Sequence, residues 1–381
     1  MVGLPSTRPS RGVWLFFCST LPRCAVKHPR SRVNRRDLMR FRRPRTEPSA
    51  PNPVGPDAPG SGDLLKASRP AMGSYFEIRI PANVPGAIKL AERVLDRIDQ
   101  LEDQLTVYRD DSEVSRLNAR AHEEPVVVEP GLFALLERAV VIGELTGGAY
   151  DVTSGALSLA WGFHRGPKRI PNPETLASAR ERTGQHLLRF DPAQRTVQFD
   201  RPGVAINLGS IGKGYAIDCA VKLVSDYWWP TSALIHGGRS SLFALGSAPG
   251  QWGGRWRVAL RNPFNPEVPL GELYLRNRAM GTSGTDFQQF EADGRRFGHI
   301  IDPRTGEPPT EGPASVTVLA PTAAEADALS TAFYLLGPDA ASAYVEEHPE
   351  IGAIFVNAGP TDGSPSVLTL GLSQEDYGLE R

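Results

Sequence analysis

Residues His299–Leu336 read HIIDPRTGEPPTEGPASVTVLAPTAAEADALSTAFYLL. An apolar run ends at His299–Ile301 and the chain turns at Asp302-Pro303. Ser315–Ala320 reads as a strand. Thr322 with Glu325 three residues on has the spacing of a capping box, so a helix starts there. Gly337-Pro338 ends it. Asp327 and Thr331 lie four apart and share one face near the helix start. Two oxygen-bearing side chains beside a helix N-terminus suit a hard cation and a phosphate. The same pair also suits a capped core helix with a satisfied aspartate, and the spacing leaves both readings open.

Outward from this unit the chain alternates short strands and helices. Upstream, a strand is predicted over Tyr75–Ile80, with Phe76, Ile78 and Ile80 on one face. A long amphipathic helix follows over Gly86–Leu105, with Ile88, Ala91, Leu95, Ile98, Leu101 and Leu105 in helical period. Leu105–Asn118 reads as a loop with one capped turn at Ser112. Pro130 fits a helix N1 position, and that helix runs to Thr146 before Gly147-Gly148. Pro173–Thr183 is another short helix. Leu187–Phe190 and Thr196–Phe199 form a hairpin around a polar loop. Val204–Leu208 reads as a strand leading into a glycine-rich turn and a helix to Tyr227. Short strands are then expected at Ala233–Ile235, Leu242–Leu245, Trp256–Leu260, Leu270–Leu275, Phe297–Ile301 and Ala353–Val356, with a last helix at Ala341–His348. Hairpin-like strands with interspersed helices predict an α+β fold of mixed or antiparallel sheets with packed helices, not a doubly wound parallel sheet. No fixed-period repeat is present.

Composition limits the function classes. The chain has 381 residues, 34 Pro, 38 Gly and a hydrophobic fraction of 40%. Residues 1–50 carry twelve Lys/Arg against two Asp/Glu, about +10, which leaves about −11 for the remainder of a net charge of −1. An acidic body does not bind nucleic acid through bulk charge. If it binds an anion, it needs a metal ion or aimed backbone amides. Residues 1–63 read as a basic, Pro-rich, disordered tail and linker, and residues 64–381 as the folded part. Asn34-Arg35-Arg36-Asp37-Leu38-Met39 resembles a twin-arginine export start but lacks the apolar run after it, so the chain is either cytoplasmic or exported through a degenerate signal. Cys18, Cys24 and Cys219 form neither a disulfide framework nor a zinc pattern, and Cys219 reads as a core residue of an apolar helix.

Asn207–Asp218 (NLGSIGKGYAID) is the strongest local motif. A strand end, three glycines, Lys213 and a helix start can hold phosphate on helix N-terminal amides. It is neither a Walker A loop nor GxGxxG, since Gly214 stands where Walker A has Ser/Thr and the glycine order differs. A tight turn with a solvated lysine fits the same residues. Met72, Tyr108, Tyr150 and Trp161 fit ordinary packing. Asp151 before Val152-Thr153 can cap a turn, and Asp293-Gly294 reads as one.

Taken in order, five blocks resemble the ApbE family of flavin transferases: Ala71–Ser74, Leu105–Asn118, Gly148–Phe163 (GAYDVTSGALSLAWGF), Asn207–Asp218, and Thr282 through Leu336 with Ser283-Gly284, Asp293-Gly294 and His299–Gly306. The resemblance spans Leu64 to Pro360. It implies an ApbE-like (T-fold-like) domain that cleaves FAD at its pyrophosphate with Mg2+, transfers FMN to a Thr or Ser hydroxyl of an acceptor flavoprotein and releases AMP. Carried over by position, it implies FAD contacts at Met72, Tyr108, Ala149, Tyr150, Asp151, Asn207, Lys213 and the His299–Ile301 segment, and Mg2+ ligands at Asp327, Thr331 and the Ser210 carbonyl. His299 and Asp286 are the candidates for the base that prepares the acceptor hydroxyl. The chain departs from the common family pattern at Asn207, where Asp is usual, at Ser210, where Gly is common, at Arg239, where Asp often follows the glycine pair, and at Thr285, which shifts a Ser-Gly-Asp-Tyr run. Those departures keep two alternatives open: a flavin-binding protein without transfer activity, and a Mg2+-dependent FAD pyrophosphatase. The acceptor is expected to be a separate protein, such as a subunit of a membrane redox complex.

Overall fold

A computed structural model of the chain describes residues 63–164, 166–227, 232–284, 289–359 and 364–379. In chain order the strands are β1 (Leu64–Ala71), β2 (Ser74–Pro81), β3 (Val126–Val127), β4 (Leu188–Asp191), β5 (Thr196–Phe199), β6 (Ala233–Gly237), β7 (Ser241–Leu245), β8 (Trp256–Leu260), β9 (Gly271–Leu275), β10 (Arg278–Gly284), β11 (Gln289–Ala292), β12 (Arg295–Gly298), β13 (Ser315–Ala320), β14 (Gly352–Ala358), β15 (Pro365–Leu370) and β16 (Tyr377–Leu379). The helices are α1 (Ala87–Leu105), α2 (Glu113–Arg120), α3 (Pro130–Leu145), α4 (Gly155–Ala160), α5 (Pro173–Glu181), α6 (Gly212–Asp226), α7 (Ala323–Leu336) and α8 (Pro338–Glu347). None of these helices is long and apolar enough to cross a membrane.

Eight strands form one antiparallel sheet in the order β1-β2-β6-β7-β10-β13-β14-β15. Period-two alternation sends side chains to opposite faces. On one face Phe76, Ile78, Ile80, Ile235, Phe243, Val316, Val318 and Phe355 meet the buried sides of α1, α3, α6 and α7. On the other, Leu234, Leu242, Met280, Leu319 and Ile354 meet the three-stranded sheet β16-β9-β8. Both faces are covered, so Ser315–Ala320 is buried throughout and shows no polar alternation.

Several expectations change. The largest omission is β10, a central strand of sequence RAMGTSG. Its small residues hide it from strand propensity, and they are small because a helix lies against them. Leu64–Ala71 is also a strand. It pairs with β2 across a two-residue turn in which Met72 (φ 50°) and Gly73 (φ 70°) both take the left-handed conformation of a type I′ hairpin. Val204–Leu208 forms no ladder, only a parallel bridge between Ala205 and Ser154. Phe297–Ile301 is not one strand: β12 ends at Gly298, and Ile300 and Ile301 are buried as irregular chain. Ser112 caps a helix of eight residues, not a single turn. Ile88 faces solvent, while Leu90, Ala91 and Val94 carry the buried side of α1. Cys219 is only half-buried at the edge of the core. Residues 1–62, with Cys18, Cys24 and the twin-arginine-like segment, and Thr285 and Asp286 lie outside the described residues.

Candidate functional site

The N-terminus of α7 is held by two acceptors. Thr322 Oγ1 accepts from the Glu325 amide at 3.2 Å. Asp218, projecting from α6, accepts from the Ala323 amide at 2.8 Å and the Ala324 amide at 2.9 Å. Those are amides that an isolated helix leaves without partners, and the positive end of the helix dipole faces the carboxylate. Burial pushes the Asp218 carboxyl up to about 7, with the two amides opposing the shift.

Asp327 sits at the start of the second turn of α7 and is buried. Its Oδ1 accepts from Ser241 Oγ at 2.6 Å, and its Oδ2 accepts from the Gly214 amide at 2.8 Å. Burial raises its pKa, while nearby Lys213 and the two hydrogen bonds pull it down. Thr331, one turn later, places its hydroxyl 3.3 Å from the Asp327 carbonyl and 3.0 Å from Ser283 Oγ. The expectation of one face is met, and that face points to β7, β10 and the start of α6.

This packing requires glycine at two positions. A Cβ on Gly214 would lie 2.1 Å from the Ala323 carbonyl oxygen. One on Gly281 of β10 would lie 2.4 Å from the Ala326 carbonyl carbon and 2.6 Å from the Asp327 nitrogen. The backbones of α6 and β10 therefore press on α7 from two sides. That is how residues more than a hundred apart in sequence reach hydrogen-bond distance.

The loop before α6 is tied to the Gly148–Phe163 block. The Asn207 amide donates to the Val152 carbonyl at 2.8 Å, its Nδ2 donates to Ser158 Oγ at 3.2 Å, and its Oδ1 accepts from the Gly209 amide at 2.8 Å. Its side chain thus shapes the loop. Tyr150 is fully buried, and its hydroxyl has no well-aligned partner. Burial raises the phenol pKa strongly; Ser210 beside it opposes the shift, and Asp327 adds to it. Tyr150, Ser210, Lys213, Asp327 and Thr331 therefore form one neighbourhood. Ala149 is buried beside them in sequence. The Asp151 carboxylate is taken up locally: Oδ1 accepts from the Thr153 amide (2.8 Å) and hydroxyl (2.6 Å), and Oδ2 from the Gln185 amide (3.0 Å).

The other predicted residues stand on other segments. Met72 is half-buried in the β1–β2 turn and packs against the main core. Tyr108 is 64% exposed, and its ring lies 5.1 Å from that of His164. Such exposure leaves a π face free for a planar ligand. Ile301 is buried with Leu157 and Trp161, and Trp161 donates to the Gly306 carbonyl at 2.9 Å. This anchors the half-buried His299 segment against α4.

Ser241 and Gly281 carry no signal in the sequence, and Asp218 and Ser283, though inside the quoted blocks, had no assigned role. Isolated serines and glycines have no local signal. Only the strand pairing and the helix above it give them a purpose.

Among the described residues no group of three or more His, Cys, Asp or Glu could hold a metal ion. A cation here would use one carboxylate with hydroxyl and carbonyl oxygens. That donor set suits Mg2+, which takes few protein ligands and completes its shell with water and phosphate. The buried Asp327 carboxylate fits such a cation: burial disfavours its charge, and a cation beside it favours it, as Lys213 already does.

The ApbE family model matches residues 72–355. A protein of Treponema pallidum named FAD:protein FMN transferase is 33% identical over 299 residues, 75% of this chain and 82% of its own length. One of the same name from Escherichia coli (strain K12) is 31% identical over 280 residues, 72% and 79% of the two chains. The solved ApbE protein of Thermotoga maritima superposes with a TM-score of 0.72 at 28% identity, over 80% of this chain and 96% of that one. The flavin transferase ApbE of Vibrio cholerae gives 0.70 at 27% identity, over 81% and 97%. With the family match running from the Met72 turn into β14, this chain belongs to the ApbE family.

Proposed function

We propose that this chain transfers FMN from FAD to a threonine or serine hydroxyl of an acceptor flavoprotein and releases AMP. The observation that carries this reading is the buried Asp327 carboxylate, held by the first turn of α6 beside Lys213 and next to Tyr150 and Ser210. It supports binding of a pyrophosphate with a cation at a strand-to-helix turn. The names of the relatives support the choice of FAD as substrate.

In this reading the acceptor oxygen forms a bond to the FMN phosphorus as the bond from that phosphorus to the AMP oxygen breaks. The hydroxyl proton must leave, and His299 is the residue proposed to receive it. Asp286 is the second candidate. Lys213 pairs with phosphate oxygens, while the Gly214 amide beside it is taken up by Asp327. Tyr150 stays protonated at neutral pH because its phenol is buried. Asp327, Thr331 and the Ser210 carbonyl would hold Mg2+, which when bound neutralises charge on the pyrophosphate. Met72, Tyr108, Ala149, Asp151, Asn207 and Ile301 would line the FAD side. The acceptor is proposed to be a separate protein, such as a subunit of a membrane redox complex.

The test uses purified protein, FAD, Mg2+ and a candidate acceptor domain. Covalent flavin on the acceptor with stoichiometric AMP is the expected result. FMN and AMP without labelled acceptor would replace transfer by hydrolysis, and bound flavin with neither product would leave a carrier. Lys213→Ala is expected to weaken FAD binding by roughly 10- to 100-fold, the worth of a charged hydrogen bond. Fluorescence titration of FAD measures it, and unchanged affinity would remove Lys213 from the phosphate site.

A further inference from the structure

Asp327 and Thr331 each receive a hydroxyl from a neighbouring strand of the sheet, and the two strands are adjacent. Ser241 opens β7 and is 1% exposed; its Oγ donates to Asp327 Oδ1 at 2.6 Å. Ser283 lies near the end of β10 and is 9% exposed; its Oγ lies 3.0 Å from Thr331 Oγ1 and 2.9 Å from Ser330 Oγ. Ser241 pairs with Gly281 across the β7–β10 ladder, and Ser283 is two residues beyond Gly281 on the same strand. Both serines therefore face α7, while the residues between them in alternation face the second core.

We infer that Ser241 and Ser283 are positioning residues for the cation site, an inference that rests on the Mg2+ role proposed above for Asp327 and Thr331. The proton count supports it. Each hydroxyl has one proton to donate and two lone pairs. Where Thr331 donates to Ser283 at 3.0 Å rather than to the Asp327 carbonyl at 3.3 Å, every proton is used once: Ser283 donates to Ser330, and Ser330 donates to the Asp327 carbonyl at 2.9 Å. Thr331 then keeps its lone pairs for a ligand. At Asp327, Ser241 and the Gly214 amide each occupy one lone pair, one on each oxygen. Two of about four carboxylate sites remain, and the carboxylate plane is fixed by donors from two different elements. Groups that orient metal ligands this way contribute about 10- to 100-fold in metal affinity.

A control lies on the opposite face of the same strand. Thr282 Oγ1 bonds Thr317 Oγ1 of β13 at 2.9 Å. Thr317→Val removes a hydroxyl pair of the same kind, with the same shape, away from α7.

The experiment measures metal binding directly. Mn2+ is titrated into the full-length protein with FAD and without acceptor, and free Mn2+ is read from its EPR signal. Ser241→Ala and Ser283→Ala are each expected to raise the apparent Mn2+ dissociation constant about 10- to 100-fold. Thr317→Val is expected to leave it unchanged. In the transfer assay the two serine variants are expected to need proportionally more Mg2+ and to regain most of the rate at saturation, with metal-free Tm within a few degrees of the parent. If the parent binds Mn2+ and both serine variants bind it equally well, the positioning role is overturned while the cation reading stands. If all four proteins bind none, the cation reading falls and the positioning role with it. An equal loss in Thr317→Val would also overturn the positioning role, since the effect would then be general to the sheet.

Discussion

Asp327→Asn is expected to lower FMN transfer by about 1000-fold or more and to leave the fold intact. Asparagine has nearly the same shape. Its oxygen can accept from the Gly214 amide and its nitrogen can donate to Ser241 Oγ, so both contacts of the native carboxylate survive with one reversed. The charge does not survive. A site that neutralises a pyrophosphate through a bound cation loses several kcal/mol of transition-state stabilisation when its carboxylate ligand is removed. Stability should move the other way. A carboxylate 6% exposed carries a desolvation cost that a neutral amide avoids, and nearby Lys213 offsets only part of it. Without metal, the Tm of Asp327→Asn should therefore equal or exceed that of the parent. Rates of acceptor labelling and calorimetric Tm check the two halves together. A variant that retains transfer removes Asp327 from the reaction, and one that loses activity and Tm in parallel makes Asp327 a structural residue.

Gly214→Ala is expected to have the largest effect on stability among substitutions near the site. The added methyl would approach the Ala323 carbonyl oxygen to 2.1 Å, with the Ala323 carbon at 2.3 Å and the Ala324 nitrogen at 2.5 Å. All three are backbone atoms, so no side chain can rotate away. Relief requires α6 and α7 to separate, which also strains the Asp218 hydrogen bonds to α7 and the Gly214 amide bond to Asp327. Overpacking of this kind costs about 3 kcal/mol, or roughly 5 °C in Tm for a chain of this size. Thermal denaturation followed by circular dichroism measures it. The variant should also lose transfer activity at temperatures where it remains folded, because Lys213 and Asp327 no longer face each other at the native distance. Wild-type Tm and rate would show that the two helices yield without cost.

Local chemistry accounts for what was legible in the residues alone. The Thr322 cap, the Asp327/Thr331 face and the Gly337 stop of α7 are properties of adjacent residues in one helix, and the structure has all three. The Asp293-Gly294 turn, with both residues at positive φ, follows from turn chemistry in the same way. Strand β10 was not legible, because RAMGTSG has no alternation and only one β-branched residue, Thr282. Its Gly281 and Ser283 answer to α7, which is about forty residues away in sequence. Asp218 reads as an ordinary polar residue on a helix until α7 is placed across its tip. Val204–Leu208 has the composition of a strand but only one bridging partner at hand.

By itself the sequence determined the class of fold, the helix that carries Asp327 and Thr331, the glycine-rich turn that carries Lys213, and the block order shared with the ApbE family. Each depends on neighbours within a few residues or on the order of short motifs. Only the tertiary structure decided that Asp327 is buried against the Gly214 amide, that Asp218 caps the helix of another segment, and that Ser241 and Ser283 stand behind Asp327 and Thr331. The reason is physical: hydrogen bonds reach about 3 Å, and only the pairing of β7 with β10 and the close packing of α6 and β10 on α7 bring these groups that near.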